Sequence, residues 1–338
     1  MEFRSVLQDR RKDPRPAGKR LYDALIRPLE GDLGKPGALL MLSLDGALRY
    51  VPAAALWDGN GWLAESRPTV IFTRATAAAR DTAAGAPAGG VRARAMGVTR
   101  AWPGFPALPG VAAEIEAVVG GKADGSGTGG REVKPAGGVL VGESYLDEAF
   151  DRAALASSLA SDAPVVHVAS HFSLDPTSLE GTALLLGDGG RLSLGEMRSS
   201  GDFDFRGLDL LALSACDTGS GARRGETGKE VESLGELLQR AGASAVLATL
   251  LPVDDMSAPE LVREFYRLRY VEGRDKASAL QGAQLKVMRD LGADTAPARG
   301  TAVGGRAGAA AESAPAWEGK GFSHPYYWSP FVVMGDWR

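Results

Sequence analysis

PVVHVAS at residues 164–170 and LDLLALSA at 208–215 are apolar runs of strand length. A strand with one wet face alternates apolar and polar residues. These two do not, so both of their faces are expected to be covered. Working outward, the same reading gives strands at GVLVG (138–142), ALLLG (183–187), SAVLATLL (244–251) and PFVVMG (330–335), with helices around 145–159, 229–241, 256–270 and 275–290. Earlier in the chain, GALLMLS (37–43) and TVIFTR (69–74) read as strands, with an Asp45–Gly46 turn and ALRYVPAAAL between them. Strands alternating with helices imply an α/β fold with a mostly parallel sheet between helical layers. Residues 1–20, with Arg10, Arg11, Lys12, Pro14 and Pro16, read as a polar lead-in. Residues 21–338 read as one α/β domain, opened by a helix with Leu21, Leu25 and Leu29 on one face.

A chain of 338 residues can bury its core without disulfides or metal. Its formal net charge of −4 offers no whole-chain field for nucleic acid or an anionic membrane. Glycine is the outlier, at 45 of 338 residues against a usual share of about 7%. The excess gathers in 83–90, 120–130 and 292–319. The last has hardly any large apolar residue to offset its ordering entropy and is expected to be disordered. The single cysteine excludes an intramolecular disulfide and a thiolate zinc site, and three histidines leave metal catalysis little to use. LLLGDGGRLSL (184–194) is glycine-bearing, but no helix and no lysine follow, so it reads as a hairpin turn and not a phosphate loop. No cofactor is implied. There is no apolar run near the roughly 18 residues of a membrane span and no apolar signal core, so the cytoplasm is the expected address.

Cys216 follows LDLLALSA directly, ahead of Asp217, Thr218 and Gly219. That places a thiol at the carboxyl end of a buried parallel strand, where open α/β sheets hold their ligand crevice. Lone cysteines are also common as buried filler. His171 stands in the same relation to PVVHVAS. Two strand ends on one rim can bring thiol and imidazole together across 45 positions. The imidazole then takes the thiol proton, and the thiolate attacks a carbonyl carbon. His167, inside its strand, is expected on the face opposite Val166 and Val168 as a hydrogen-bonded core histidine. His324, in HPYYWSPF, is expected to pack with its aromatic neighbours. Asp217, and Asp254 and Asp255 after ATLLPV, are expected near the same rim, where they can line a pocket for a basic side chain or cap a helix. Asp255, ahead of MSAPELVREFY, reads as an N-cap. ARRGETG (222–228) reads as an exposed loop.

VVHVASHFSLDP (165–176), LLLGDGGRLSL, LDLLALSACDTG (208–219), GASAVLATLLPVDD (242–255), EFYRL (264–268), ALQGAQL (279–285) and HPYYWSPFVVMGDWR (324–338) together resemble the CHAT family. These are caspase-like peptidase domains usually found behind tetratricopeptide repeats in bacteria. RPLE (27–30) and LLMLSLDGALRYVPAAAL (39–56) resemble the family's opening elements, so the likeness covers nearly the whole chain. It implies a caspase/separase-like three-layer α/β/α sandwich and a clan CD cysteine peptidase with a Cys-His dyad. Carried over, His171 becomes the general base and Cys216 the nucleophile. The Cys216 N–H and a main-chain N–H beside His171 would form the oxyanion hole. The implied partners are a protein substrate and a regulatory sensor or tetratricopeptide-repeat protein. Phe172 stands where many members have glycine, and Leu251 where tryptophan is frequent. The rival reading of the same fold is a catalytically silent interaction module with an inert Cys216.

Overall fold

The computed structural model describes residues 2–73, 75–76, 90–120, 137–173, 178, 180–214, 229–290 and 315–338. Cys216, Asp217, the 222–228 loop and most of the three glycine-rich stretches lie outside the described residues.

In chain order the strands are β1 (Leu40–Leu42), β2 (Thr69–Ile71), β3 (Arg92–Gly97), β4 (Val141–Leu146), β5 (Val165–Ala169), β6 (Phe172–Ser173), β7 (Ala183–Leu185), β8 (Arg191–Ser193), β9 (Leu210–Ser214), β10 (Ala245–Thr249) and β11 (Phe331–Gly335). Eight of them form one sheet in the order β1-β2-β11-β10-β9-β5-β3-β4. Only β10 and β11 meet antiparallel; the other neighbouring pairs in that sheet are parallel. The expected mostly parallel α/β sheet is therefore present. ALLLG is the exception: Ala183–Leu185 joins β6 and β8 in a separate antiparallel sheet, and 184–194 forms the expected hairpin. Against expectation, a short helix (Leu194–Ser199) starts at its end, capped by Ser193.

Two apolar layers flank the large sheet. On one face Val165, Ala169, Leu210, Ala212 and Leu247 pack with Val111 and Ile115 of the helix Gly110–Val118, Leu261 and Phe265 of Ser257–Tyr266, and Leu280 and Val287 of Lys276–Asp290. On the other, Val166, Val168, Leu211 and Leu213 pack with Leu155 and Leu159 of Arg152–Leu159, Leu238 of Lys229–Arg240, and the β7–β8 hairpin. Alternate residues of one strand thus enter different layers, so the central strands carry no polar face. The result is the three-layer α/β/α sandwich. Gly97 ends β3 where a side chain has no room, since a Cβ there would fall 2.4 Å from Val111 Cγ1.

Residues 1–20 differ from the polar lead-in expected of them. Glu2–Leu7 and Arg15–Leu25 are helices, and Phe3, Val6 and Leu7 are buried. A few apolar residues among many charges suffice to dock a short helix, whatever the average polarity of the segment. His324 ties this segment to the chain's other end. Its Nε2–H donates to the Lys12 carbonyl at 2.9 Å, and its Nδ1 accepts from the Tyr326 N–H at 3.0 Å. It sits edge-on to Trp317, which lies outside the HPYYW cluster and at the end of the 292–319 stretch expected to be disordered. There the Asp13 N–H donates to the Pro315 carbonyl and the Trp317 N–H to the Arg11 carbonyl, so 315–319 is held in place.

Two stability predictions follow from these contacts. Leu7 is fully buried, so Leu7→Ala is expected to cost about 2–5 kcal/mol, read as a lowered urea midpoint. Burial pushes the His324 pKa down to about 4, below the 6.5 it has when unfolded. The unfolded chain therefore takes up its proton first as pH falls. The contribution is whole above pH 6.5 and is lost as pH drops toward 4, amounting to about 3 kcal/mol. His324→Gln removes the titration, so its stability should fall less steeply across that window than the parent's.

Candidate active site

The rim at the carboxyl ends of β5 and β9 is set by their pairing, which runs level from Val165↔Leu210 to Ala169↔Ser214. The Ser170 N–H continues the ladder to the Ser214 carbonyl at 3.2 Å. His171 comes next, fully buried, with its ring 5.1 Å from that of Phe105. Its Nε2 lies 2.7 Å from the Pro106 carbonyl oxygen. A carbonyl only accepts, so Nε2 carries the proton and Nδ1 keeps the lone pair. Burial holds the His171 pKa below its ordinary value of 6.5, with the Pro106 carbonyl opposing in part. The ring is therefore a neutral base at neutral pH.

Pro106 is held by its own loop. Trp102 and Phe105 exchange main-chain hydrogen bonds at 2.9 and 2.7 Å, and the Leu108 N–H donates to the Thr99 carbonyl at 3.0 Å. Asp147, just after β4, accepts from the Thr99 N–H at 2.8 Å and from the Thr99 hydroxyl at 2.7 Å. The hairpin turn backs the same loop. Gly189 lies so close to the Trp102 ring that a Cβ would fall 2.5 Å from it, and Gly189 has φ +86°, which favours glycine. Sequence reasoning missed Pro106, and no side-chain signal could have shown a main-chain acceptor.

Of the other expected site residues, Cys216 and Asp217 lie outside the described residues; Ser214, two positions before Cys216, is the last described residue of β9. The helix-capping role expected of Asp255 belongs to Asp254, whose Oδ1 accepts from the N–H groups of Met256 at 3.0 Å and Ser257 at 3.2 Å. Asp254 also lies 4.0 Å from the Arg10 guanidinium. Asp255 instead leans on Gly110 and accepts its N–H. A Cβ on Gly110 would fall 2.8 Å from Asp255, so the closeness needs glycine. Burial, together with the charges of Asp254 and Glu114, raises the pKa of Asp255 above its ordinary value.

Asp255 stands at a cavity of about 40 Å³, lined also by Val111, Glu114, Ser170, Ser214 and Val253. The structure thus brings Asp255 to the strand-end rim and gives Asp254 to the helix start. His167 behaves as expected: fully buried, with Nδ1 3.0 Å from the Tyr266 hydroxyl and Nε2 3.1 Å from Glu114 Oε1. Among the described residues no helix is long and apolar enough to cross a membrane.

A mostly parallel sheet between helical layers, with a buried histidine past one central strand, is consistent with the caspase-like sandwich expected from the sequence. Residues 15–336 match the CHAT domain, and the chain belongs to that caspase-like family. No curated protein matches the chain.

His167→Ala would leave the Glu114 carboxyl and the Tyr266 hydroxyl buried without their shared partner. It is expected to cost about 2–5 kcal/mol of stability. Chemical denaturation measures this, and activity per folded molecule should be kept.

Proposed function

We propose that the domain is a cysteine endopeptidase that cuts a protein substrate with a Cys216–His171 dyad. The observation that carries this reading is the Pro106-held imidazole of His171, at the end of the strand paired with the one that leads to Cys216. By count along the two paired strands, Cys216 is to Ser214 as His171 is to Ala169. The carbonyl at Nε2 fixes the tautomer whose Nδ1 can take a proton, and burial keeps that nitrogen unprotonated.

In the proposed reaction Nδ1 takes the proton from Cys216 Sγ. The thiolate forms a C–S bond to the scissile carbonyl carbon, and its oxygen becomes an oxyanion met by the Cys216 N–H and a main-chain N–H beside His171. As the C–N bond breaks, the leaving amine receives the proton from Nδ1. A water, deprotonated by Nδ1, then attacks the thioester carbonyl carbon. The C–S bond breaks, releasing the acid and returning the proton to sulfur. Control by a sensor or a tetratricopeptide-repeat partner belongs to the same proposal.

Cys216→Ala, Cys216→Ser and His171→Ala are each expected to lower cleavage of a protein or peptide panel by more than about a hundredfold, with melting curves close to the parent's. Residual cleavage above about a hundredth in folded Cys216→Ala would exclude that thiol as nucleophile. Undiminished cleavage in His171→Ala would exclude that base.

A further inference from the structure

We propose that the rim cavity receives the side chain of the residue before the scissile bond, and that it selects lysine or arginine. This rests on the dyad reading above. Ser170 adjoins His171 and Ser214 stands two residues before Cys216, so the cavity lies at the two strand ends that lead to the reacting groups. Among the described residues both titratable groups that line it are acids, Asp255 and the buried Glu114, and no lysine, arginine or histidine lines it.

A second observation points to a ligand. Ser214 is 5% exposed and lines the cavity, yet its Oγ has no hydrogen-bond partner among the described residues. Buried hydroxyls ordinarily find one, so this oxygen suits an incoming N–H donor. Val111, Val253 and Ala258 supply apolar wall for a methylene stem, as long cationic side chains require. A volume of about 40 Å³ has room for about three waters. That is the scale of an ammonium or guanidinium head. A leucine or methionine there would cover the Asp255 carboxylate and give it no counter-charge, whereas a cation forms a charge-assisted hydrogen bond. Asp254, engaged with Arg10 and the helix start, leaves Asp255 as the anchor.

The test uses the full chain and peptidyl chloromethyl ketones that differ only in the residue next to the reactive carbonyl, with iodoacetamide as a reagent too small to need the cavity. The expected result is Cys216 modification at least tenfold faster with the lysine or arginine reagent than with the leucine or aspartate one. Asp255→Asn should erase most of that preference when rates are taken relative to iodoacetamide. Ser214→Ala, a milder change, should shrink it. Faster reaction of the leucine reagent, unchanged in Asp255→Asn, while iodoacetamide labelling still depends on His171, would overturn the pocket and spare the dyad. Iodoacetamide labelling indifferent to His171→Ala, with no discrimination among the ketones, would overturn both.

Discussion

The level pairing of β5 with β9 is the constraint on which the rim depends. Five main-chain partners in register, each strand buried on both faces, leave no room for a slip. Displacing β5 by one residue would turn His167 into the opposite helical layer, away from Glu114 and Tyr266, and expose its unpaired ring to an apolar core. It would also move His171 off the Pro106 carbonyl. Fold stability and the presentation of the base are thus set by the same contacts. β5 lies between β9 and β3, and the chain builds β4 on the far side of β3 before returning to place β5. That reversal of strand order is where open α/β sheets leave a crevice at their carboxyl ends, and the rim cavity lies there.

The three histidines show how placement assigns chemistry. All are buried, yet each ring meets a different partner set. His324 donates to the Lys12 carbonyl, which ties the chain's ends together, and accepts from the nearby Tyr326 N–H, so both nitrogens are spent on structural contacts. His167 lies between a carboxyl and a phenol, and both nitrogens serve the core. His171 has its Nε2 committed to Pro106, which fixes the ring and leaves the proton-accepting nitrogen on the other side. The loop behind Pro106 is anchored from β4 through Asp147 and from the hairpin through the Trp102–Gly189 contact. Support for one imidazole therefore comes from three separate parts of the chain.

Much of this was legible in the sequence. β5, β9, β10 and β11 stand out as apolar runs because both of their faces are covered, and His167 and His171 separate by their positions within and beyond one run. β3, which pairs with β5 on the side away from β9, did not stand out. In VRARAMGV (91–98) alanines fill the tight space against the helix Gly110–Val118, and Arg94 pairs with Glu143 on the neighbouring strand. Small residues and cross-strand ion pairs carry little hydropathy signal. The 183–187 run misled in the other direction: it is apolar because it roofs a hydrophobic layer from a hairpin, not because it enters the main sheet. Adjacent acids were equally hard to apportion. Whether Asp254 or Asp255 caps the helix depends on which carboxylate the turn aims at Met256 and Ser257, and on Gly110 lacking a side chain, which draws Asp255 toward the cavity. Cys216 was legible only as a position at a strand end.

The central claim is that the end of β5 supplies a base to the thiol beyond the end of β9. Because the chain has one cysteine, iodoacetamide alkylation reads that thiol alone. An ordinary thiol ionises near pH 8.5, so at about pH 7 it needs a base to react quickly. At that pH alkylation is expected to be at least about tenfold faster in the parent than in folded His171→Ala, because Nδ1 takes the thiol proton. Equal rates at that pH in the two folded proteins would contradict the assignment of the base.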